Sequence, residues 1–476
     1  MAEAIVVGSG PNGLAAAVVL ARAGLKVTVL EAAGEIGGGA RSGEATLPGL
    51  LYDHCAAVHP IAAGSPFLGT LDLERYGLRW RHAPLPCAHP LPSGDAAVLH
   101  RSVEATAAAL GVDGPRWRAL FGPSADHYPA LAGDLLRPVP HLPRRPLRLA
   151  QFGALAALPA STVAGLFRTG RARALFGGVA AHAIRPLDHV FTSAIALGLL
   201  SPVQHDGWPV AEGGSGRIAA ALAAALTDFG GAVETGVHIR DAAELPPSAI
   251  TMYDLAPAGV AAVLGDRLPS PVARAYQRFR NGPAVYKVDL AVAEGIPWRN
   301  PEVAEAGTVH VGGSFAQTAA SLRTVHNGRM PAKPFVLVGQ QYLADPTRSH
   351  GNIHPVSAYA HVPHAYPGDA TDAIIARIEE FAPGFRHRIL AISADSPADL
   401  ANDNPNFIGG DILTGAKTSS QLLLGPRLVG NPYRTGIPGS YLCSAATPPG
   451  PGAHGMCGAN AAALALRDLR RRRRSP

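Results

Sequence analysis

Lysine is nearly missing from this chain: of its 41 basic residues only Lys26, Lys287, Lys333 and Lys417 are not arginine. A position where a proton must be able to leave would therefore stand out. Cysteine is scarce as well. The 4 cysteines, at 55, 87, 443 and 457, form no CxxC pair, so neither a thioredoxin-type redox pair nor a cysteine zinc site is legible, and a reduced, cytoplasmic protein is expected. Long apolar runs are absent too. Stretches such as "IAAALAAAL" at 218–226 fall short of the ~20 residues a membrane-spanning helix requires. The strand pattern starts within four residues of Met1, which leaves no room for a secretory leader. No GxSxG elbow and no tandem repeat occur, so hydrolase and solenoid readings have no support.

What is present is a long, core-forming chain. Its 476 residues are 47% hydrophobic, enough for two or three domains with a sizeable core. The 54 glycines and 43 prolines are spread without a period, which excludes a collagen-like chain and implies many turns. A net charge of +6 is concentrated in the block Arg470–Arg474. Such a block is either a solvated tail or an attraction for anionic lipid; nothing else points to nucleic acid.

Residues 4–30 read as strand, glycine turn, helix and strand, half of a doubly wound parallel sheet. The text then changes to Arg, Pro and short helical pieces, returns to α/β patterning at "EGGSGRIAAALAAALTDFGG", departs again, and returns near the C-terminus. The expected layout is one discontinuous nucleotide-binding domain (1–100, 201–265 and 401–469), a substrate or cap domain (101–200 and 266–400), and a basic tail (470–476).

"GSGPNG" carries the strongest motif. Gly8 allows the tight turn, Gly10 close approach to a pyrophosphate and Gly13 close helix packing, with Ser9, Pro11 and Asn12 between them. Glu31, 18 residues after Gly13, is placed to take two ribose hydroxyls, with Ala32 and Val237 beside it. The run that follows, Gly37-Gly38-Gly39 and Arg41, resembles the second dinucleotide motif of flavoproteins with the glutathione reductase-like fold. That resemblance implies FAD, with Gly38 and Gly39 along its pyrophosphate and Arg41 near the phosphates or flavin.

Together with "LPGLLYDHCAAVHPIAAGSPFL", "PADLANDNPNFIGGDI" and "YLCSAATPPGPGAHGM", the chain resembles the phytoene desaturase-like FAD oxidoreductases. Within them it is most similar to the branch named pyridine nucleotide-disulfide oxidoreductase domain-containing protein 2. The resemblance implies an α/β fold, a discontinuous FAD-binding Rossmann domain with an inserted α+β substrate domain.

Gly450, Gly452 and Gly455 repeat the GxGxxG spacing. A second Rossmann unit needs a further strand and an acidic residue about 20 positions on, and only an arginine-rich end remains. By the resemblance, this turn instead returns to the first domain, and Gly452, His454, Gly455 and Met456 line the flavin. Ser444, Ala446, Pro448 and His454 depart from the carotenoid desaturase pattern, so carotenoid substrates are not implied.

Three residues are candidates for catalysis. Lys287 in "AVYKVDLAV" lies on an alternating strand, either on an exposed polar face or, as in flavin amine oxidases, holding a water at flavin N5. His59 and His454 either pack or move a proton. His354, His361 and His364 lack metal-site spacing, and "GDILTGAKT" fails as a P-loop because Ala416 displaces Lys417; no metal is expected. The resulting expectation is hydride transfer from a C–H bond of a largely apolar substrate to flavin N5. Oxygen, a quinone or another external acceptor would reoxidise the flavin. Amine oxidation, isomerisation or saturation, and a flavin-bound membrane-surface interaction protein remain alternatives.

Overall fold

A computed structural model describes residues 3–139 and 141–474. Two sheets organise them. The first is five-stranded and all parallel, in the order Ser440–Leu442, Ile250–Tyr253, Glu3–Val7, Lys26–Leu30, Ala232–Glu234. Its strands come from both ends and the middle of the chain, and the central strand reads as a continuous apolar run because helices cover both faces. The first helix, Pro11–Arg22, starts with Pro at its N-terminal turn and is followed by Gly24 at φ +84°, a proline-in, glycine-out pairing that suits its ends.

The second sheet has seven strands, in the order Ile389–Asp395, Ala284–Ala293, Ile353–Val362, Val336–Gly339, Ala306–Val311, Leu85–Pro90, Ala96–Leu99. One face packs on the helix Thr371–Glu379 through Val288, Leu290, Ile374 and Ile378. The other meets a helical layer through Cys87, Leu99, Phe335, Leu337, Trp117 and Phe176.

Three expectations are corrected. Residues 85–99, assigned to the nucleotide domain, belong to the second sheet: Leu85 pairs with Ala306 and Cys87 with Thr308. Short strands buried on both faces carry no alternation that could tell one sheet from another. The arginine block is not a separate tail, since the closing helix runs Met456–Arg474. Arginine is a good helix former, and Asp468 anchors the last turns by accepting from Arg434 at 2.7 and 2.9 Å. Ser475 and Pro476 lie outside the described residues. The helix Tyr128–Leu135, expected in the cap, also sends Tyr128 and Ala132 into the core of the first domain.

A buried charge cluster ties the segment around Arg348, which precedes the strand Ile353–Val362, to Asp53 and Ala211. The Arg348 guanidinium donates to Asp53 Oδ2 at 2.6 Å, to Asp345 Oδ2 at 3.2 Å and to the Ala211 carbonyl at 2.9 Å. Asp53 Oδ1 accepts in addition from Ser42 Oγ and the Ser215 N–H, and Asp345 accepts the Gly213 N–H. The glycine-rich turn at 212–216 is thereby fixed against Asp53 and Asp345. Burial pushes the Asp53 carboxyl up, but Arg348 and these donors outweigh it and hold its pKa below the ordinary value. Removing one partner would leave two buried carboxylates uncompensated. Arg348→Met is expected to lose about 3–5 kcal/mol of stability, read as a lower urea midpoint; an unchanged midpoint would contradict this account of the cluster.

Candidate active site

The first turn and the second glycine run fold onto each other. Ser9 donates to Glu31 Oε2 from its N–H at 2.8 Å and from Oγ at 2.6 Å, while Glu31 Oε1 takes the Ala33 N–H at 2.9 Å. Gly37 N–H donates to Ser9 Oγ at 3.2 Å. A Cβ at Gly38 would lie 3.3 Å from Gly10 Cα, so the two glycine runs meet backbone to backbone. Glu31 is held at the end of its strand with lone pairs to spare for hydroxyl donors. Ala32 is exposed beside it, and the Val237 N–H donates to the Glu31 carbonyl at 2.8 Å.

These residues fit a dinucleotide. The first helix begins at Gly10 without a side-chain cap, leaving amide donors and partial positive charge for a pyrophosphate. Asn12 is buried, and its Oδ1 has no partner in the protein, the mark of a site that expects one from elsewhere. Arg41 lies against the second glycine run. Its buried guanidinium is spent on the Gly38 carbonyl at 2.8 Å, on Asp403 and on Glu35, so it braces the second glycine run.

The C-terminal turn packs against this cradle. A Cβ at Gly455 would lie 2.8 Å from Ala15 Cβ, and one at Gly458 only 1.8 Å from the Asn12 carbonyl oxygen. His454 Nδ1 accepts the Met456 N–H at 3.0 Å, and its carbonyl accepts Ser65 Oγ at 2.7 Å. His59 Nε2 shares a hydrogen bond with Ser215 Oγ at 2.8 Å, which ties it to the charge cluster around Asp53. Burial pushes both imidazoles down to about 4. Each thus braces its surroundings through a hydrogen bond to one ring nitrogen.

Lys287 is buried, so the exposed-face alternative fails. Its ammonium is bonded to Asp289 and lies 3.7 Å from Asp395. Burial alone would pull its pKa down, but these carboxylates outweigh that and set it above the ordinary value. The three histidines of the 354–364 segment have separate partners: His354 stacks on Tyr342, His361 on Phe335, and His364 bonds the Gly282 carbonyl.

Beyond Lys287 the second sheet carries Val285 and Tyr359, which pack with Ile184, Leu400, Ile412 and Leu413 into a small apolar cluster between the cap and the loop 411–418. Two β-branched residues at its edge, Ile184 (φ +46°) and Thr414 (φ +50°), hold left-handed backbone, a strained state for their type that marks functional regions.

Comparison with known proteins places this geometry. Residues 6–66 match the NAD(P)-binding Rossmann-like domain family. The chain is 24% identical over 560 aligned residues to the mouse (Mus musculus) pyridine nucleotide-disulfide oxidoreductase domain-containing protein 2, covering 98% of this chain and 94% of the relative. It is 31% identical over 306 residues to hydroxyneurosporene desaturase of Cereibacter sphaeroides, covering 56% and 58% of the two chains. The chain is thus similar over nearly its whole length to the first of these proteins and over about half of it to the second. The fold agrees: a triple mutant of putrescine oxidase superposes with TM-score 0.63 over 99% of both chains at 18% identity. That likeness is one of fold, a Rossmann-like domain joined to a substrate domain.

Sequence reasoning missed Asp254, which follows the strand Ile250–Tyr253 and accepts the Gly13 N–H at 2.8 Å. A Cβ at Gly10 would lie 2.5 Å from the same oxygen. Burial, offset in part by Gly13 and reinforced by Glu31, pushes this carboxyl up to about 7. Because its folded pKa is raised, the protonated acid suits the fold. Stability is greatest below the ordinary carboxylate range and falls as pH rises toward about 7. Asp254→Asn keeps an acceptor for Gly13 without the charge. We expect it to unfold at a higher urea concentration than the wild type at pH above 7, and to flatten the decline between acid and neutral pH; an unchanged pH profile would contradict this assignment.

Proposed function

We propose that the enzyme dehydrogenates a largely apolar small molecule, in the manner of a desaturase or dehydrogenase, and passes the electrons to oxygen, a quinone or another external acceptor. When bound, FAD supplies a hydride acceptor at N5; the protein's part is binding, orientation and control of charge. The observation that carries this reading is the apolar cluster of Ile184, Val285, Tyr359, Leu400, Ile412 and Leu413, whose Leu400 shares the helix Pro397–Asp403 with the Asp403 that holds Arg41, and apolar side chains suit hydrocarbon. The likeness to hydroxyneurosporene desaturase supports it. The putrescine oxidase fold keeps amine oxidation as the second reading, since the Lys287 ammonium, bonded to Asp289, has further N–H donors with which to hold a water.

The test is anaerobic mixing of the FAD-loaded protein with squalene, decanol or decylamine in detergent. Loss of oxidised-flavin absorbance with squalene or decanol supports the reading, loss with decylamine alone favours amine oxidation, and no loss with any donor overturns it.

An apolar substrate is most available at a lipid surface, and we propose a cytoplasmic enzyme with a peripheral contact there. Among the described residues no helix is long and apolar enough to cross a membrane. Leu142 and Leu147 are 93% and 83% exposed among exposed Arg144, Arg145 and Arg148. Apolar tips ringed by arginine complement an anionic bilayer. We expect sedimentation with phosphatidylglycerol vesicles to be lost in Leu142→Asp/Leu147→Asp and kept in Arg470→Gln/Arg473→Gln. The reverse pattern would place the contact on the closing helix, and a loss of dimer in the first variant would assign the face to a second copy of the chain.

A further inference from the structure

Of the four lysines, two pair with carboxylates at the surface, Lys26 with Glu3 at 3.1 Å and Lys333 with Glu380 at 2.9 Å, and Lys287 pairs with Asp289 and Asp395 inside. Lys417 differs. Among the described residues it makes no ion pair, and its Nζ donates to the Leu413 carbonyl at 3.0 Å. Its side chain is half-buried, as are those of Tyr359 and Cys55.

The loop that carries Lys417 is fixed from below. The Asp411 carboxylate accepts N–H groups from Gly282 at 2.6 Å, Leu413 at 3.0 Å and Gly415 at 2.8 Å. Arg185, from the cap, donates to the Lys417 carbonyl at 2.6 Å. Ile412 and Leu413 form a wall of the apolar cluster, and Thr414 holds its strained backbone between them and Lys417. On the far side stands Cys457, in the first turn of the closing helix. Lys417 thus stands between the apolar cluster and the C-terminal glycine turn.

We propose that Lys417 is the catalytic base of the site, its neutral amine taking the proton that the substrate loses on oxidation. The proposal rests on the reading that the apolar cluster receives substrate. In the balanced step, one hydrogen leaves the substrate carbon with its electron pair for the oxidant, FAD. The neighbouring C–H, O–H or N–H bond breaks, its proton joins the Lys417 lone pair, and its electrons become the new π bond. The ammonium then yields the proton to water. Charged and titratable groups around the amine are Asp411 on its own loop, Cys457 on the closing helix, and Arg185 at its backbone. Burial outweighs the Asp411 carboxylate and lowers the amine to about 8, where a lysine can exchange its proton. Arginine, which the chain uses almost everywhere else, cannot do so. The sequence offered Lys417 only as the displaced lysine of a failed P-loop.

Two measurements test this. Competitive labelling of the FAD-loaded protein with trace acetic anhydride, with acetyl-lysine amide as internal standard, should give Lys417 a titration midpoint near 8, well below the standard. A midpoint equal to the standard, or no labelling at any pH, overturns the proposal without any need for a folded variant. With whichever donor reduces the flavin, the anaerobic rate should rise with pH through the same midpoint. Lys417→Met, at wild-type flavin content, should lose that rise and slow by at least about a hundredfold. Reduction by a donor with an unaltered pH profile in Lys417→Met overturns the proposal and leaves the parent reading standing. Failure of every donor in the wild type overturns the parent reading and this step with it.

Discussion

The first and closing helices touch because Gly458 has no side chain: a Cβ there would sit 1.8 Å from the Asn12 carbonyl oxygen, nearer than any atoms can pack. That single approach brings the end of the chain back to its beginning. The strand Ser440–Leu442 pairs beside Ile250–Tyr253, and the turn between strand and helix is delivered against the first dinucleotide turn. Gly455, against Ala15, repeats the demand one turn earlier. The C-terminal GxGxxG spacing is thus explained by helix packing and by a backbone that must turn at positive φ, as at Gly450, Gly452 and Gly455.

Around that contact the interior sorts its charges into partnered and unpartnered ones. Arg348 satisfies Asp53 and Asp345, Arg41 is held by Asp403, and Lys287 by Asp289. His59 and His454, deep in the same region, are kept neutral and used as hydrogen-bonding struts. Asp254, Asp411 and Lys417 have no ion-pair partner among the described residues: Asp411 is satisfied by backbone N–H groups, while burial moves Asp254 and Lys417 toward neutrality.

The parts legible in the sequence are those whose chemistry is local. Gly8, Gly10, Gly13 and Glu31 act within one strand-turn-helix-strand unit, so spacing alone identifies them. What was not legible depends on contacts between distant segments. Residues 85–99 look like any short buried strands until Ala306 pairs with Leu85. Arg41 is met by Asp403, 362 residues away. The alternation around Lys287 shows which residues share a face and not that the face is buried. Asp254 and Lys417 had no motif of their own; a lysine in an arginine-rich chain was the one available signal for the latter.

The central claim is that this chain builds one dinucleotide site, closed by its own C-terminal turn. The most direct measurement is the amount and mass of chromophore released from purified, denatured protein after saturation with FAD and removal of the excess. The account predicts one FAD per chain and no retained nicotinamide nucleotide. Protein that retains no FAD, or that binds a second dinucleotide with Gly452 in its site, would contradict it.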